Sequence, residues 1–242
     1  MKEKKQPKSI ATINFKGGVG KTTCTWCLGD LLSTFGKSNV LLFDLDAQMS
    51  LTQAITLNED GSLVQRFQTW ADKSYKKEKT IFHAIEEYTG SGGKFDFGIN
   101  FDFIYQISDK YHFIPSVEDL YWLALDVLPR EKMQTFMRSL LAKITWSTNV
   151  PAYDYALFDC PPSFTLLSYS VLSVCDLILN GPPAPQINLR KPVGRKLDKS
   201  LVEMSFFDTP FDAYCRLISA IVHPLPPGCF IRRRRTWKPR QG

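Results

Sequence analysis

A chain of 242 residues, 44% hydrophobic and 22% charged, has an ordinary globular composition and enough length to bury a sizeable core. No apolar run approaches the roughly 18–20 residues of a membrane span, and the opening MKEKKQPK lacks the apolar segment of a secretion signal, so a cytoplasmic protein without stable membrane insertion is expected. The formal net charge of +6 is uneven: from Arg190 onward there are twelve Lys+Arg and four Asp+Glu, which points that end towards a polyanion such as nucleic acid or an acidic membrane surface.

SIATINF (9–15) is apolar and β-rich and runs straight into a glycine loop. Lys21 to Phe35 reads as a helix carrying Trp26, Leu28, Leu31, Leu32 and Phe35, and Gly36 ends it. NVLLFDLD (39–46) is apolar almost throughout, which suits a parallel strand covered on both faces. Strand, glycine loop, helix, strand is the opening of a doubly wound α/β domain with a mostly parallel sheet flanked by helices.

Residues 47–90 read as mostly helical, in the pieces MSLTQAITL, LVQRFQTWADKSYKK and TIFHAIEEY. SGGKFDFGIN (91–100) is a turn-rich interruption, and FDFIYQI and YHFIPS read as short strands. VEDLYWLALDVL and EKMQTFMRSLLAKIT read as helices separated by Pro129. YDYALFDC (153–160) is a second buried strand ending in an aspartate, and CDLILN (175–180) is the next strand. A domain boundary is expected near residue 180. Residues 1–180 form one domain behind a short tail (1–8), and 181–242 form an atypical basic segment, partly disordered. Within that segment 201–222 reads as one helix interrupted at Pro210, and the end, PLPPGCFIRRRRTWKPRQG, as an unstructured basic tail.

Gly20-Lys21-Thr22 ends a phosphate-binding loop. The glycines let the backbone close around an anion, with the N–H groups of Gly17 to Thr22 pointing inward. Lys21 would pair with β- and γ-phosphates, and the Thr22 hydroxyl would bind Mg²⁺. Asp44 and Asp159 end adjacent buried strands, so both point at the crevice along the carboxyl edge of the sheet, where hard oxygen ligands suit Mg²⁺.

The loop departs from the standard pattern: Phe15 stands where its first glycine belongs, and beside it is an additional lysine, Lys16. KGGVGKTT (16–23) resembles the deviant Walker A motif of the ParA/MinD ATPase family. NVLLFDLDAQMSLT matches that family's strand ending in D-x-D-x-Q, and YDYALFDCPPSF matches its Walker B strand ending in D-x-P-P-S. The ParA/Soj partition branch fits best, from about Ile10 to Leu179. The resemblance implies ATP held by Lys16, Gly17, Gly18, Val19, Gly20, Lys21, Thr22 and Thr23, and Mg²⁺ held by Thr22, Asp44 and Asp159. It implies catalytic roles for Lys16, Lys21 and Asp46. Lys21 acts in cis, Lys16 reaches the nucleotide of a partner subunit in an ATP-sandwich homodimer, and Asp46 orients the attacking water. Two cations at the triphosphate offset charge that develops in transfer. Ala47 replaces the proline common in DLDPQ.

The same resemblance implies non-specific DNA binding by the ATP-bound dimer, association with the nucleoid, a ParB-like partner that stimulates hydrolysis, and positioning of plasmid, chromosome or other cargo. Two alternatives stand beside it. One is a MinD-like protein that binds membrane, for which FIRRRRTW is too short and polar an amphipathic helix. The other is a degenerate member that binds nucleotide without productive hydrolysis. After Asn180 the chain offers fewer buried-strand runs than the fold needs to finish its sheet. This end is therefore expected to differ from the family's C-terminal portion, as a frameshift, a truncation or a replaced terminus would leave it.

The remaining signals are weaker. Cys24-x-x-Cys27 lies inside a helix without a second pair, and the six cysteines are expected to be ordinary thiols, mostly buried. His83, His112 and His223 are scattered and are expected to be solvated or hydrogen-bonded structural residues. The run Arg232–Arg235 with Trp237, Lys238 and Arg240 reads equally as a phosphate-backbone contact or a solvated tail.

Overall fold

Apolar residues on successive positions of a strand must bury two faces, and this chain has a layer of helices for each. The computed structural model describes residues 5–57, 80–95, 101–121, 130–180 and 204–205. In chain order the elements are β1 (Lys8–Ile13), α1 (Lys21–Thr34), β2 (Val40–Asp44), α2 (Ser50–Thr56), α3 (Ile81–Gly90), β3 (Tyr105–Ser108), β4 (Tyr111–Ile114), α4 (Arg130–Trp146), β5 (Tyr155–Asp159), α5 (Leu166–Leu172), β6 (Leu177–Asn180) and β7 (Met204–Ser205). Seven strands form one sheet in the order β3-β4-β2-β5-β1-β6-β7. Every neighbouring pair is parallel except β3 and β4. The doubly wound, mostly parallel architecture expected from the sequence is therefore present.

The sheet separates two cores. On β2, Val40 and Leu42 join Leu28 and Leu32 of α1 and Leu51 of α2 on one face. Leu41 and Phe43 join residues of α3, α4 and α5 on the other. This is the two-residue period of a strand with both faces covered. Phe43 and Phe158, opposite each other on β2 and β5, bring ring centroids to 4.7 Å. On α1 only part of the apolar set faces the sheet: Leu28 and Leu32 are buried, whereas Trp26 is 38% and Phe35 75% exposed.

Gly29 is the point where α1 meets β4. A Cβ there would strike the Tyr111 hydroxyl and lie 2.7 and 2.8 Å from two of its ring carbons. The same hydroxyl donates to the Trp26 carbonyl at 2.9 Å, which holds the ring in place. Gly29→Ala is therefore expected to destabilise the domain by about 1–3 kcal/mol. The check is the urea midpoint, and an unchanged midpoint would show that the ring moves aside at no cost.

Several expected boundaries shift. β1 stops at Ile13, and Asn14 and Phe15 leave the sheet to begin the loop, where the Asn14 Oδ1 accepts the Lys16 N–H at 2.8 Å. α1 ends at Thr34, and the left-handed residue after it is Lys37 (φ 50), not Gly36. Glycine is still required at 36, because a Cβ there would lie 2.6 Å from the Leu32 carbonyl oxygen. In FDFIYQI the strand begins only at Tyr105. Met204 and Ser205, expected within a helix, pair with Leu179 and Asn180 instead and add a parallel strand to the sheet. Satisfying the open backbone edge of β6 outweighs local helical periodicity there. The helix at 63–77, most of that at 117–128, the segment 181–197, the rest of 201–222 and the basic tail lie outside the described residues.

Candidate functional site

Three parallel strands end side by side. Thr12 of β1 and Asp44 of β2 both lie opposite Asp159 of β5. The loop from Asn14 to Gly20 leaves β1 at this edge and opens α1. Gly18 and Gly20 have φ of 70° and 81°, a region that side-chain-bearing residues avoid. Among the described residues, a Cβ at Gly17, Gly18 or Gly20 would meet no atom within 4 Å, so the loop curls around open space. α1 has no side-chain cap and no acidic residue in its first turn. Its first N–H groups and its partial positive charge are left uncompensated by the protein. This donor set fits an anion such as a phosphate. Lys16 is exposed on the loop, and Lys21 and Thr22 are half-buried at the first positions of α1.

The two strand-end aspartates are both buried, Asp44 completely and Asp159 with 1% exposure. Their surroundings differ. Asp44 Oδ2 accepts the Thr52 N–H at 2.8 Å and the Thr52 hydroxyl at 2.7 Å, and Oδ1 accepts the Asp46 N–H at 3.1 Å. The Thr52 hydroxyl accepts the Ser116 N–H at 2.9 Å, so its own proton is directed at Asp44. Asp44 thus caps α2 from a distance, since Thr52 is in its first turn. Among the described residues, neither oxygen of Asp159 has a hydrogen-bond partner. The Thr22 hydroxyl is near enough to favour the Asp159 carboxylate but falls short of hydrogen-bonding geometry.

Burial raises both carboxyls, Asp44 to about 6 and Asp159 to about 7. For Asp159 the Asp44 charge adds to burial, while Thr22 and Lys21 act in the opposite direction. The three donors on Asp44 keep that carboxyl ionised, so the proton of the pair resides on Asp159. An unpartnered buried carboxyl beside an ionised one and a hydroxyl is the oxygen-donor chemistry that a hard divalent cation satisfies. Among the described residues no group of three or more His, Cys, Asp or Glu side chains forms a complete metal site. A cation held by Thr22, Asp44 and Asp159 would therefore fill its shell with phosphate oxygens and water.

Asp46 is half-buried just beyond the pair, and its carboxylate accepts the Gln48 N–H at 3.0 Å. Its backbone carbonyl accepts the Ser116 hydroxyl at 2.7 Å. Met49, three residues on, is left-handed (φ 58) yet buried, so packing in the core offsets a strained backbone next to Asp46. An apolar pocket of about 270 Å³ adjoins Asp46, walled by Leu45, Leu120, Met133 and Leu166.

Thr52 and Ser116 were not singled out by the sequence reading. Their signals were available: Thr52 closes the stretch that holds Asp44 and Asp46, and Ser116 follows β4 at the same carboxyl edge. Thr52→Val is expected to cost about 1–3 kcal/mol, because it removes the donor to Asp44 and strands the buried Ser116 N–H. Thr52→Ser should restore most of the loss. Equal urea midpoints for valine and serine variants would show that the hydroxyl is not needed. Cys24, in the helix that the loop opens, has its thiol pushed up to about 12 by burial, Cys27 and Asp159, so it stays protonated and unreactive.

The sequence of residues 7–181 matches the family model described as an AAA domain. A ParA family protein of Chlamydia muridarum is 34% identical over 167 residues, covering 68% of this chain and 54% of that protein. The sporulation initiation inhibitor protein Soj of Bacillus subtilis is 27% identical over 172 residues, covering 71% and 56%. A plasmid partition protein from Borrelia burgdorferi has the same fold, with a TM-score of 0.56 and 24% identity over 74% of this chain and 66% of that one. Another from Borrelia burgdorferi, bound to AMPPNP, gives a TM-score of 0.54 and 24% identity over 73% and 62%. The chain spans about half the length of the curated relatives it matches. With the glycine loop, the paired strand-end aspartates and the sheet order in place, the chain belongs to the ParA/MinD family of P-loop proteins, in its ParA partition branch.

Proposed function

We propose that this chain is a ParA-type ATPase: it binds Mg-ATP, pairs with a second copy across the nucleotide, binds DNA non-specifically in that state, and hydrolyses ATP to position cargo. The observation that carries the reading is the unpartnered Asp159 carboxyl, opposite Asp44 and beside the uncapped start of α1. The loop from Lys16 to Thr23 holds the phosphates through backbone N–H groups, with Lys21 as the cation in cis. Mg²⁺, when bound, would supply positive charge to offset the charge that develops on the phosphate oxygens. Thr22, Asp44 and Asp159 would hold it, directly or through water, with the Asp44 carboxylate already fixed by Thr52. Asp46 orients water for attack. Its backbone is anchored by Ser116, which keeps the carboxylate at a set distance from the loop. Lys16 engages the nucleotide of the second copy, which makes turnover depend on pairing. A ParB-like partner accelerates turnover and releases the DNA.

Residues 1–180 form the ATPase domain in this reading, and the basic segment from 181 supplies charge for DNA. No helix among the described residues is long and apolar enough to cross a membrane. The test compares DNA binding at moderate salt with ADP or with ATP and Mg²⁺, alongside Asp46→Ala. ATP-dependent binding that strengthens in Asp46→Ala is expected, because binding without hydrolysis traps the paired state. Equal binding with both nucleotides would reduce the basic segment to a passive polycation and remove the switch.

A further inference from the structure

Asp46 lies two residues beyond the end of β2, and its backbone is held from both sides. Its N–H donates to Asp44 Oδ1 at 3.1 Å. Its carbonyl accepts two bonds, one from the Met49 N–H at 2.8 Å and one from the Ser116 hydroxyl at 2.7 Å. The Ser116 N–H donates in turn to the Thr52 hydroxyl at 2.9 Å, and that hydroxyl donates to Asp44 Oδ2 at 2.7 Å. These bonds close into a ring. One oxygen of Asp44 reaches the Asp46 amide directly, and the other reaches the Asp46 carbonyl through Thr52 and Ser116. The ring joins the end of β2, the first turn of α2 and the loop after β4. Asp44, Thr52 and Ser116 are all buried, so water does not compete for their bonds.

The two polar groups of Ser116 in this ring do different things. Its N–H satisfies Thr52, and any residue except proline supplies that donor. Its hydroxyl is what serine adds, and it goes to a carbonyl that Met49 already satisfies. Alanine at 116 would leave that buried acceptor paired, so stability gives the hydroxyl little reason to be there. What the hydroxyl supplies is a second, non-local tie on the turn from Asp46 to Met49. That turn contains the left-handed Met49 (φ 58), a conformation that relaxes unless its surroundings hold it.

We propose that Ser116 is a positioning residue for hydrolysis: its hydroxyl fixes the turn that carries Asp46, and with it the carboxylate that orients the attacking water. The assignment rests on the ATPase reading and deepens it, because it separates hydrolysis from nucleotide binding. The phosphate loop is not part of the ring, and Ser116→Ala keeps the N–H that supports Thr52 and Asp44.

The test compares full-length Ser116→Ala with wild type in three measurements. Without nucleotide, hydrogen exchange at the Gln48 and Met49 amides, which donate to Asp46, should speed up by about tenfold, with exchange in β2 and β5 unchanged. Mg-ATP affinity should stay within about twofold of wild type. Single-turnover hydrolysis should slow by about tenfold or more, as misplacement of a water-orienting group does. Protein preloaded with Mg-ATP should accordingly retain ATP for longer before ADP appears. Unchanged exchange at Gln48 and Met49, unchanged hydrolysis beside an active wild type, or a parallel fall in nucleotide affinity and strand protection would each overturn the assignment. An inactive wild type would instead overturn the ATPase reading, whatever the exchange shows of the turn.

Discussion

Asp159→Asn is expected to raise the melting temperature of the nucleotide-free protein while it removes Mg²⁺-dependent ATP turnover. The stability gain follows from the sign of the pKa shift. Asp159 ionises at about 7 in the folded protein and at 3.8 ordinarily. At low pH the carboxyl is protonated in both states and carries no charge penalty. As pH rises from about 4, the unfolded chain gives up its proton first, so the folded state loses stability until about 7, above which the loss is complete. Removing that carboxyl should recover on the order of 1–3 kcal/mol at pH 8, a shift of several degrees. The amide still lacks partners, which keeps the gain below the full electrostatic penalty.

Mg²⁺ reverses the trend, because it requires the carboxylate. Its affinity in the wild-type protein should increase over the same pH window. Turnover in Asp159→Asn should fall by on the order of 10²-fold or more. Thermal melts at pH 5 and pH 8, with and without Mg-ATP, decide the matter. If the variant melts below wild type without ligand at pH 8, the unmatched charge is not what limits stability here.

The second large effect is expected at the two lysines, and it should differ in kind between them. Lys21→Ala removes the cation at the start of α1, beside Asp159. Nucleotide binding should weaken, and kcat/KM should fall by roughly 10³-fold, about 4 kcal/mol of transition-state stabilisation. Lys16→Ala should leave nucleotide binding by a single copy nearly intact, because its side chain projects from an exposed part of the loop. Its kcat should fall by on the order of 10³-fold, as for other cations supplied in trans.

Mixing separates cis from trans. A Lys16→Ala copy keeps Asp46 and Lys21, and an Asp46→Ala copy keeps Lys16. In a mixed pair, the site on the first copy receives Lys16 from the second, so two inactive preparations should regain turnover when combined. If the mixture stays inactive while each variant still binds nucleotide, Lys16 does not act across the pair.

Much of this site could be read from one sequence because its parts are local. The glycine loop needs left-handed backbone at Gly18 and Gly20, and few residues other than glycine supply it. The strands ending at Asp44 and Asp159 are runs of apolar residues, so their carboxyl ends, and the carboxylates on them, could be placed before any contact was known. The order of the motifs along the chain sufficed to identify the family.

Other features depend on which segments become neighbours. Asp44 and Asp159 look alike in sequence, each closing a buried strand. They differ because α2 turns Thr52 onto Asp44 while none of the described elements hydrogen-bonds Asp159. Ser116 belongs to the site only because β4 lies beside β2 and brings the loop after it against Asp46. The pairing of Met204 with Leu179 and the meeting of His112 with Tyr153 arise in the same way, from residues separated widely in the chain. Local periodicity reports the preference of a segment for helix or strand. Hydrogen bonds and burial between distant segments are decided only when the sheet assembles, and there they fix the protonation, the partners and the orphans that give each carboxylate its role.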